Sequence, residues 1–364
     1  MQSGKRRAAF IGAGLLLVFI IVEIQCYAFA RLSIANGNAF MFYPTDIFDI
    51  TKEQAANEGA AGPLGWPKTN LARAQSPEQS ATCGSAFGDS MTYGDEVKDN
   101  EAWLHLLSNS LGCNVGNFAV GGYGLDQAAL RYELIPSSGS FVMIGLFIEM
   151  LRRDEAASWT FYRGPQRDHL PVYAITKPMF EMSDNRLQLI SRPAAPVTPE
   201  AIAQHHKRDY FLNALWTPLS FPYSYAAARA ILRHEVYRSD LDNEFSIQFW
   251  QRTHPSNAVP LALKILGRMR EQTRQRGQQL VVVMIPSVDY ALQPTTGYEP
   301  FVRDLAQQEA GLCVIDTFQA VAAAATKVGI PALRAPLGHY SPAGNEILAQ
   351  SVREGLGRCG ISGK

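Results

Sequence analysis

Two residues far apart along this chain have the types and surroundings needed for acyl chemistry. Ser90 stands in Gly88-Asp89-Ser90-Met91-Thr92-Tyr93-Gly94, just after a β-rich run and shortly before a helical pattern. Open α/β folds bind ligands outside the carboxyl ends of their strands, and a serine in such a turn presents its hydroxyl there. Its own N–H, near a helix start, can face a developing oxyanion. A neutral serine is a weak nucleophile. A histidine within hydrogen-bond reach can take its proton and later return it to the leaving group. His339 follows Gly338 and leads into SPAGNEILAQSVREGL, so its loop can hold an imidazole over the strand ends. The plain alternatives are a strand-to-helix turn with serine as its cap and a solvent-facing histidine beside another cap.

The flanking pattern supplies elements able to bring the two together. SATCGSAFGDS reads as strand and turn, NEAWLHLLSNSLG as helix, CNVGNFAVGG as strand and turn, and LDQAALRYELI as helix. FVMIGLF, QLVVVMIP and LCVID add three strands. PLALKILGRMREQTRQRG is a helix expected to end on a left-handed cap at Gly277. The closing helix begins with Ser341 as cap and Pro342 in its first turn. Five strands alternating with helices predict a three-layer α/β/α sandwich around a mainly parallel five-stranded sheet. Between about 152 and 257 the alternation gives way to aromatic and proline-containing stretches, which read as an insertion in a domain over 81–360. Its aromatics Trp159, Tyr162, Tyr173, Trp216, Tyr223 and Trp250 suit a core, or a surface for stacking sugar rings. His205-His206 has one acidic neighbour, Asp209, and reads as a solvated pair, not a metal site.

Four blocks, GDSMTYGDEVKDNEAWLHLL, NFAVGGYGLDQ, VMIGLFIEM and GHYSPAGNEILA, follow one another in the order and spacing of the SGNH (GDSL) serine hydrolases. The resemblance spans roughly residues 80 to 150 and 260 to 355. It implies a flavodoxin-like fold with Ser90 as nucleophile, His339 as base, and Gly122 joining Ser90 as an oxyanion-hole donor. Gly122 also suits a turn that needs positive φ. Asp89 and Glu149 are candidate accessory groups. The chain departs from the family pattern twice. No asparagine occurs between Asn117 and Asn185, so Met150 falls where an oxyanion-hole amide belongs, and losing such a donor costs about 3 kcal/mol. Pro336 replaces the aspartate expected three residues before the histidine, and no acidic residue lies between Asp316 and Glu346. His339 is then oriented by a backbone carbonyl or a distant carboxylate, or works as a dyad. The resemblance implies an esterase or acyltransferase that forms an acyl-enzyme, with no cofactor and no metal. Its expected substrates are acyl groups, acetyl among them, on a cell-envelope polysaccharide, or a lipid ester. The competing class is a catalytically degenerate protein of the same fold that binds or helps assemble a polysaccharide.

The remaining signals place the domain. Lys5-Arg6-Arg7 precede a largely apolar run continuing to Leu32, and roughly 20 such residues cross a bilayer. Basic residues before the span hold that end in the cytoplasm, so a single-pass anchor over residues 8–32 puts the rest in the periplasm or outside the cell. Ala28-Phe29-Ala30 also fits a signal-peptide cleavage site, although Glu23 and Gln25 interrupt the region before it. Gln25-Cys26 is a poor lipidation signal. Residues 33–80, rich in Ala, Gly, Pro, Asn and Thr, read as a stalk. Cys83, Cys113, Cys313 and Cys359 suit an oxidising compartment. Of their three pairings, Cys83–Cys113 and Cys313–Cys359 would join neighbouring elements of the sheet; four buried free thiols are the alternative.

Thirty-three basic side chains balance thirty-three acidic ones across 364 residues, leaving no general positive field to attract nucleic acid. There is no H-E-x-x-H and no G-x-S-x-G, which argues against a zinc protease and an α/β-hydrolase elbow. Gly12-x-Gly14 lies inside the apolar run and lacks the third glycine of a dinucleotide loop.

Overall fold

The structure, a computed structural model, describes residues 2–37, 40–44, 62–65, 81–135, 137–158, 176–194, 197–241, 249–294, 297–308 and 311–362. The chain divides into two compact units. One comprises 1–60, 156–176 and 193–242; the other comprises 61–155, 177–192 and 243–364.

The second unit holds a five-stranded sheet. Its strands are β2 (Thr82–Phe87), β3 (Asn114–Asn117), β4 (Phe141–Phe147), β8 (Gln279–Ile285) and β9 (Cys313–Asp316), and every pairing is parallel in the order β3-β2-β4-β8-β9. All five are the strands expected from the sequence. β4 and β8 read FVMIGLF and QLVVVMI, and apart from Gln279 they are buried throughout. Such continuous apolar runs mark strands covered on both faces. The four-residue strands β3 and β9 form the edges. From β2 the chain first adds β3 on one side and then β4 on the other. The carboxyl end of β2 is therefore a topological switch point, where α/β sheets open a crevice.

Helices cover both faces. α3 (Trp103–Leu111) packs against α13 (Pro342–Arg358), which also meets α11 (Phe318–Val328). α4 (Leu125–Leu134) packs against α9 (Ala258–Gln275). The expected caps form: Gly277 has φ +70° after α9, and the Ser341 hydroxyl accepts from Gly344 N–H with Pro342 beside it. Cys83 bonds to Cys113 and Cys313 to Cys359, the pairs that join neighbouring elements.

The segment read as one insertion is divided between the units. The antiparallel hairpin β5 (Met179–Ser183) and β6 (Arg186–Ile190), with the chain from 243 onward, belongs to the sheet unit. In the first unit, residues expected within a stalk form β1 (Phe42–Pro44), which pairs in parallel with β7 (Thr217–Leu219). α1 (Gln2–Ala35) packs along α8 (Tyr223–Leu241), with Ala30, Phe42, Ala226 and Ala230 buried between them. The stretch Ala9–Ala35 is long and apolar enough to cross a membrane, at mean hydropathy 2.3. Residues 45–61 and 66–80 of the expected stalk lie outside the described residues.

Candidate active site

Ser90 opens α2 (Ser90–Tyr93), directly after β2, and is 9% exposed. Asp89 caps this helix by accepting Met91 N–H at 3.0 Å. Its other oxygen accepts from Arg153 at 2.8 Å. Burial pushes the Asp89 carboxyl up, and the guanidinium opposes that shift. Arg153 also donates to the Tyr123 carbonyl at 3.2 Å and to Glu149 at 2.9 Å. One buried cation thus ties the Ser90 turn to the glycine loop and to the chain leaving β4. Close approach fixes the rest: a Cβ on Gly88 would lie 2.2 Å from Thr92 Oγ1 and 2.7 Å from the Gly145 carbonyl. Thr92 donates to that carbonyl at 3.2 Å, and Trp103 Nε1 donates to Met91 O at 3.1 Å.

The glycine loop lies against the serine. A Cβ on Gly121 would be 3.7 Å from Ser90 Cβ and 3.1 Å from Asp95 Oδ2. Gly122 has φ +80°, a left-handed conformation that favours glycine. Among the described residues its N–H has no acceptor. The N–H of Ser90, first in its helix, has no intrahelical acceptor either. Met150 is fully buried and its sulfur accepts Phe147 N–H at 3.4 Å, while the Glu149 carboxylate is engaged by Arg153. Asn117, at the end of β3, is occupied by Tyr93 O and Ala119 N–H.

His339 sits in a tight turn closed by the Arg334–Tyr340 bridge and by Ala335 N–H donating to His339 O at 2.8 Å. Three contacts from Glu96 hold it. Glu96 Oε1 accepts Leu337 N–H at 2.7 Å, and Oε2 accepts His339 N–H at 3.1 Å and lies 2.6 Å from His339 Nδ1. Partial burial acts to raise the Glu96 pKa, but the bonds from Leu337 N–H, the imidazole and His339 N–H outweigh it and hold the carboxyl below its ordinary range. With Nδ1 engaged, Nε2 lies 3.9 Å from Asp95 Oδ2, the oxygen close to Gly121. No hydrogen bond joins Ser90 Oγ to His339. Such bonds are often long or poorly aligned before substrate arrives. Tyr340 and Asn345 brace the turn from below: Tyr340 OH donates to Pro286 O at 2.6 Å, and Asn345 donates to Tyr340 O while accepting Trp103 N–H.

Sequence reasoning left the orienting group open, and the group at that position is Glu96. Its one local sign is the acidic pair Asp95-Glu96 right after the nucleophile block. Glu96 also has φ +68°, a conformation that costs a non-glycine residue roughly 1–2 kcal/mol. A second group went unread. Asp126, Asp154 and Lys177 are buried together; Lys177 pairs with Asp126, and Asp154 accepts Asp126 N–H at 2.9 Å. Burial and then the Asp126 charge push the Asp154 carboxyl up. A Cβ on Gly124 would lie 2.6 Å from an oxygen of each aspartate, so this cluster packs directly under the glycine loop.

Other readings are corrected or closed. His205 and His206 are buried, not solvated, because they end α6 (Pro199–His206) on its inner face; burial lowers His206 to about 3. Trp216 and Trp250 are buried core residues, with Trp250 Nε1 donating to Ile148 O at 3.1 Å. Trp159, Tyr162 and Tyr173 lie outside the described residues. Among the described residues, no group of three or more His, Cys, Asp or Glu side chains is placed to hold a metal ion.

No protein-family model matches the chain, and no curated protein matches it. Solved structures that it resembles include TesA, at 12% identity and TM-score 0.40, covering 76% of this chain and 99% of that one. A putative lipolytic protein of the G-D-S-L family from Desulfitobacterium hafniense DCB-2 is 12% identical at TM-score 0.36, covering 76% and 99%. A catalytic mutant of the acetylxylan esterase Axe2 from Geobacillus stearothermophilus is 14% identical at TM-score 0.36, covering 77% and 95%. The chemistry of the site rests on its own residues.

Proposed function

We propose that this chain is a membrane-anchored serine esterase of the SGNH type, or an acyltransferase sharing the same acyl-enzyme. The observation that carries the reading is the imidazole of His339, engaged at Nδ1 by Glu96 with Nε2 3.9 Å from Asp95, while Asp95 and Ser90 both lie close to Gly121. A carboxylate can only accept from Nδ1, so the neutral tautomer compatible with this contact carries its proton there and leaves Nε2 free to act as a general base. A simple surface histidine has no use for a carboxylate that also binds two backbone N–H groups of its own turn.

In the proposed reaction, Ser90 Oγ attacks the ester carbonyl carbon while His339 Nε2 takes the hydroxyl proton. The carbonyl π electrons move to oxygen, and the Ser90 and Gly122 N–H groups receive that oxyanion. Collapse of the intermediate breaks the bond to the alkoxy group, which leaves with the proton from His339. Water, or an acceptor hydroxyl in the transferase version, then attacks the acyl-Ser90 ester by the same steps in reverse. Glu96 acts as a positioning residue that stabilises the imidazolium as it forms. The substrate class is an ester-linked acyl group, acetyl included, on a cell-envelope polysaccharide. An N-terminal helix apolar and long enough to span a membrane, preceded by Lys5-Arg6-Arg7, and two disulfides that suit an oxidising compartment support that location.

The test is hydrolysis of p-nitrophenyl acetate by the full-length protein in detergent, with Ser90→Ala as comparison. Ser90-dependent turnover and a covalent phosphonate adduct on Ser90 are expected. Equal rates in the two proteins and no adduct would instead establish the binding-only alternative.

A further inference from the structure

The first unit contains two oddities that explain each other. α1 carries Glu23 inside its apolar run, and that carboxylate is buried, at 5% exposure. α8 begins at Tyr223, and the first N–H groups of any helix lack intrahelical acceptors. Glu23 accepts from the backbone N–H of Tyr223 and Ser224 and from the Ser224 hydroxyl. A carboxylate from one helix thus caps the start of another, more than two turns inside the span.

Depth follows from the helix itself. Arg7 and Arg31 bracket the apolar run, and at 1.5 Å per residue they stand about 36 Å apart, close to the roughly 30 Å of a bilayer core. On that scale Glu23 lies about 12 Å below Arg31 and Phe19 about 18 Å below it. α8 runs alongside in the same direction. Phe221 packs on Phe19 with ring centroids 6.1 Å apart, Tyr223 on Tyr27 at 4.9 Å, and Ala230 is buried with Ala30. The chain from Tyr210 to Ala228 carries no charge, and the first charged side chain beyond it, Arg229, comes level with the Ala30-Arg31 end of the span. The polar boundary therefore falls at the same height on both helices. Below it, Phe221 and Tyr225 are about two-thirds exposed.

We infer that the turn at Phe221 and the first two turns of α8 are embedded in the lipid bilayer beside α1, in the leaflet farther from the N-terminus. This rests on the anchor reading of α1. Backbone polar groups inside a bilayer must be satisfied by protein. Pro222 has no N–H, and Glu23 takes the next two donors together with the Ser224 hydroxyl. An ionisable side chain at that depth requires such a partner. Glu23 is accordingly a structural cap, and the exposed aromatic and aliphatic side chains of this segment contact acyl chains.

The experiment uses the full chain with Cys26→Ser, the free cysteine, and single substitutions Leu16→Cys, Phe221→Cys, Tyr225→Cys and Leu337→Cys. Each carries an environment-sensitive fluorophore and is reconstituted in vesicles with brominated acyl chains. Probes at 221 and 225 are expected to be blue-shifted and quenched by bromolipid to an extent comparable with the probe at 16, while the probe at 337 responds only to aqueous iodide. Two independent positions keep the test valid if one variant misfolds. Quenching at 16 with iodide-accessible probes at 221 and 225 would overturn the inference and leave the anchor standing. Loss of lipid quenching at all three would overturn the anchor reading as well. Probes at 221 and 225 shielded from both quenchers would mean that protein, not lipid, covers this face, which also overturns the inference.

Discussion

Ser90 and the imidazole of His339 are held in different ways. Ser90 is held by several independent buried contacts: the Asp89 cap, the Asp89–Arg153 ion pair, Thr92 against Gly145, and Trp103 on Met91. The imidazole of His339 is oriented by one carboxylate, Glu96, whose side chain is 13% exposed. Several buried polar contacts together fix the first, and losing one of them disturbs the fold. Hydrogen bonding from a single residue fixes the second, so losing it disturbs chemistry while most of the fold remains. On the proposed reading, that contrast separates stability from catalysis at one site.

The largest effect expected is on activity. Ser90→Ala should lower ester hydrolysis by on the order of 10³-fold or more, with unchanged thermal stability, as measured by initial rates and calorimetry. On the Ser90 side, Asp89→Ala should cost about 3 kcal/mol of unfolding free energy in a urea titration, since it removes both the helix cap and one of the two carboxylates on the buried Arg153. A cost within that of an ordinary surface substitution would break the contrast drawn here.

On the histidine side, Glu96→Gln should lower kcat by on the order of 10²-fold with little change in KM, and should leave the unfolding midpoint nearly unmoved. Its pH dependence has a definite sign. The Glu96 carboxyl is held below its ordinary value, so its grip is complete above the unfolded pKa and is lost as pH falls through the lowered folded one. The wild-type rate should therefore carry an acid limb from Glu96 that is absent in Glu96→Gln, and identical pH profiles would remove Glu96 from the mechanism. The smallest effect is predicted for Met150→Asn. The Met150 side chain is buried toward Phe147 N–H, so an amide there should change kcat by less than about threefold while costing about 1–3 kcal/mol of stability through burial of a polar group. A large gain in rate would show that the third oxyanion donor is recoverable at this position.

Much of this protein is legible in its sequence, for a physical reason. Fully buried parallel strands need uninterrupted apolar runs, which FVMIGLF and QLVVVMI supply. Helix ends need particular residues, which Ser341, Pro342 and Gly277 supply. Local chemistry of that kind was enough to mark Ser90, His339 and Gly122 as candidates and to give the α/β order. Periodicity did not separate the hairpin at 179–190 from the segments that join the N-terminal unit, because a contact partner leaves no trace in spacing. The same holds for the His339 orienting group: Glu96 lies 243 positions away and becomes its neighbour only when the sheet brings two loops to one edge. It holds again for Glu23, which reads as an interruption of an apolar helix until α8 is seen to begin beside it. Sequence by itself determined which elements form and marked Ser90 and His339 as candidates for nucleophile and base. Tertiary structure decided which charge meets which donor, because an ion pair or a cap depends on distance in space, and distance along the chain does not record it.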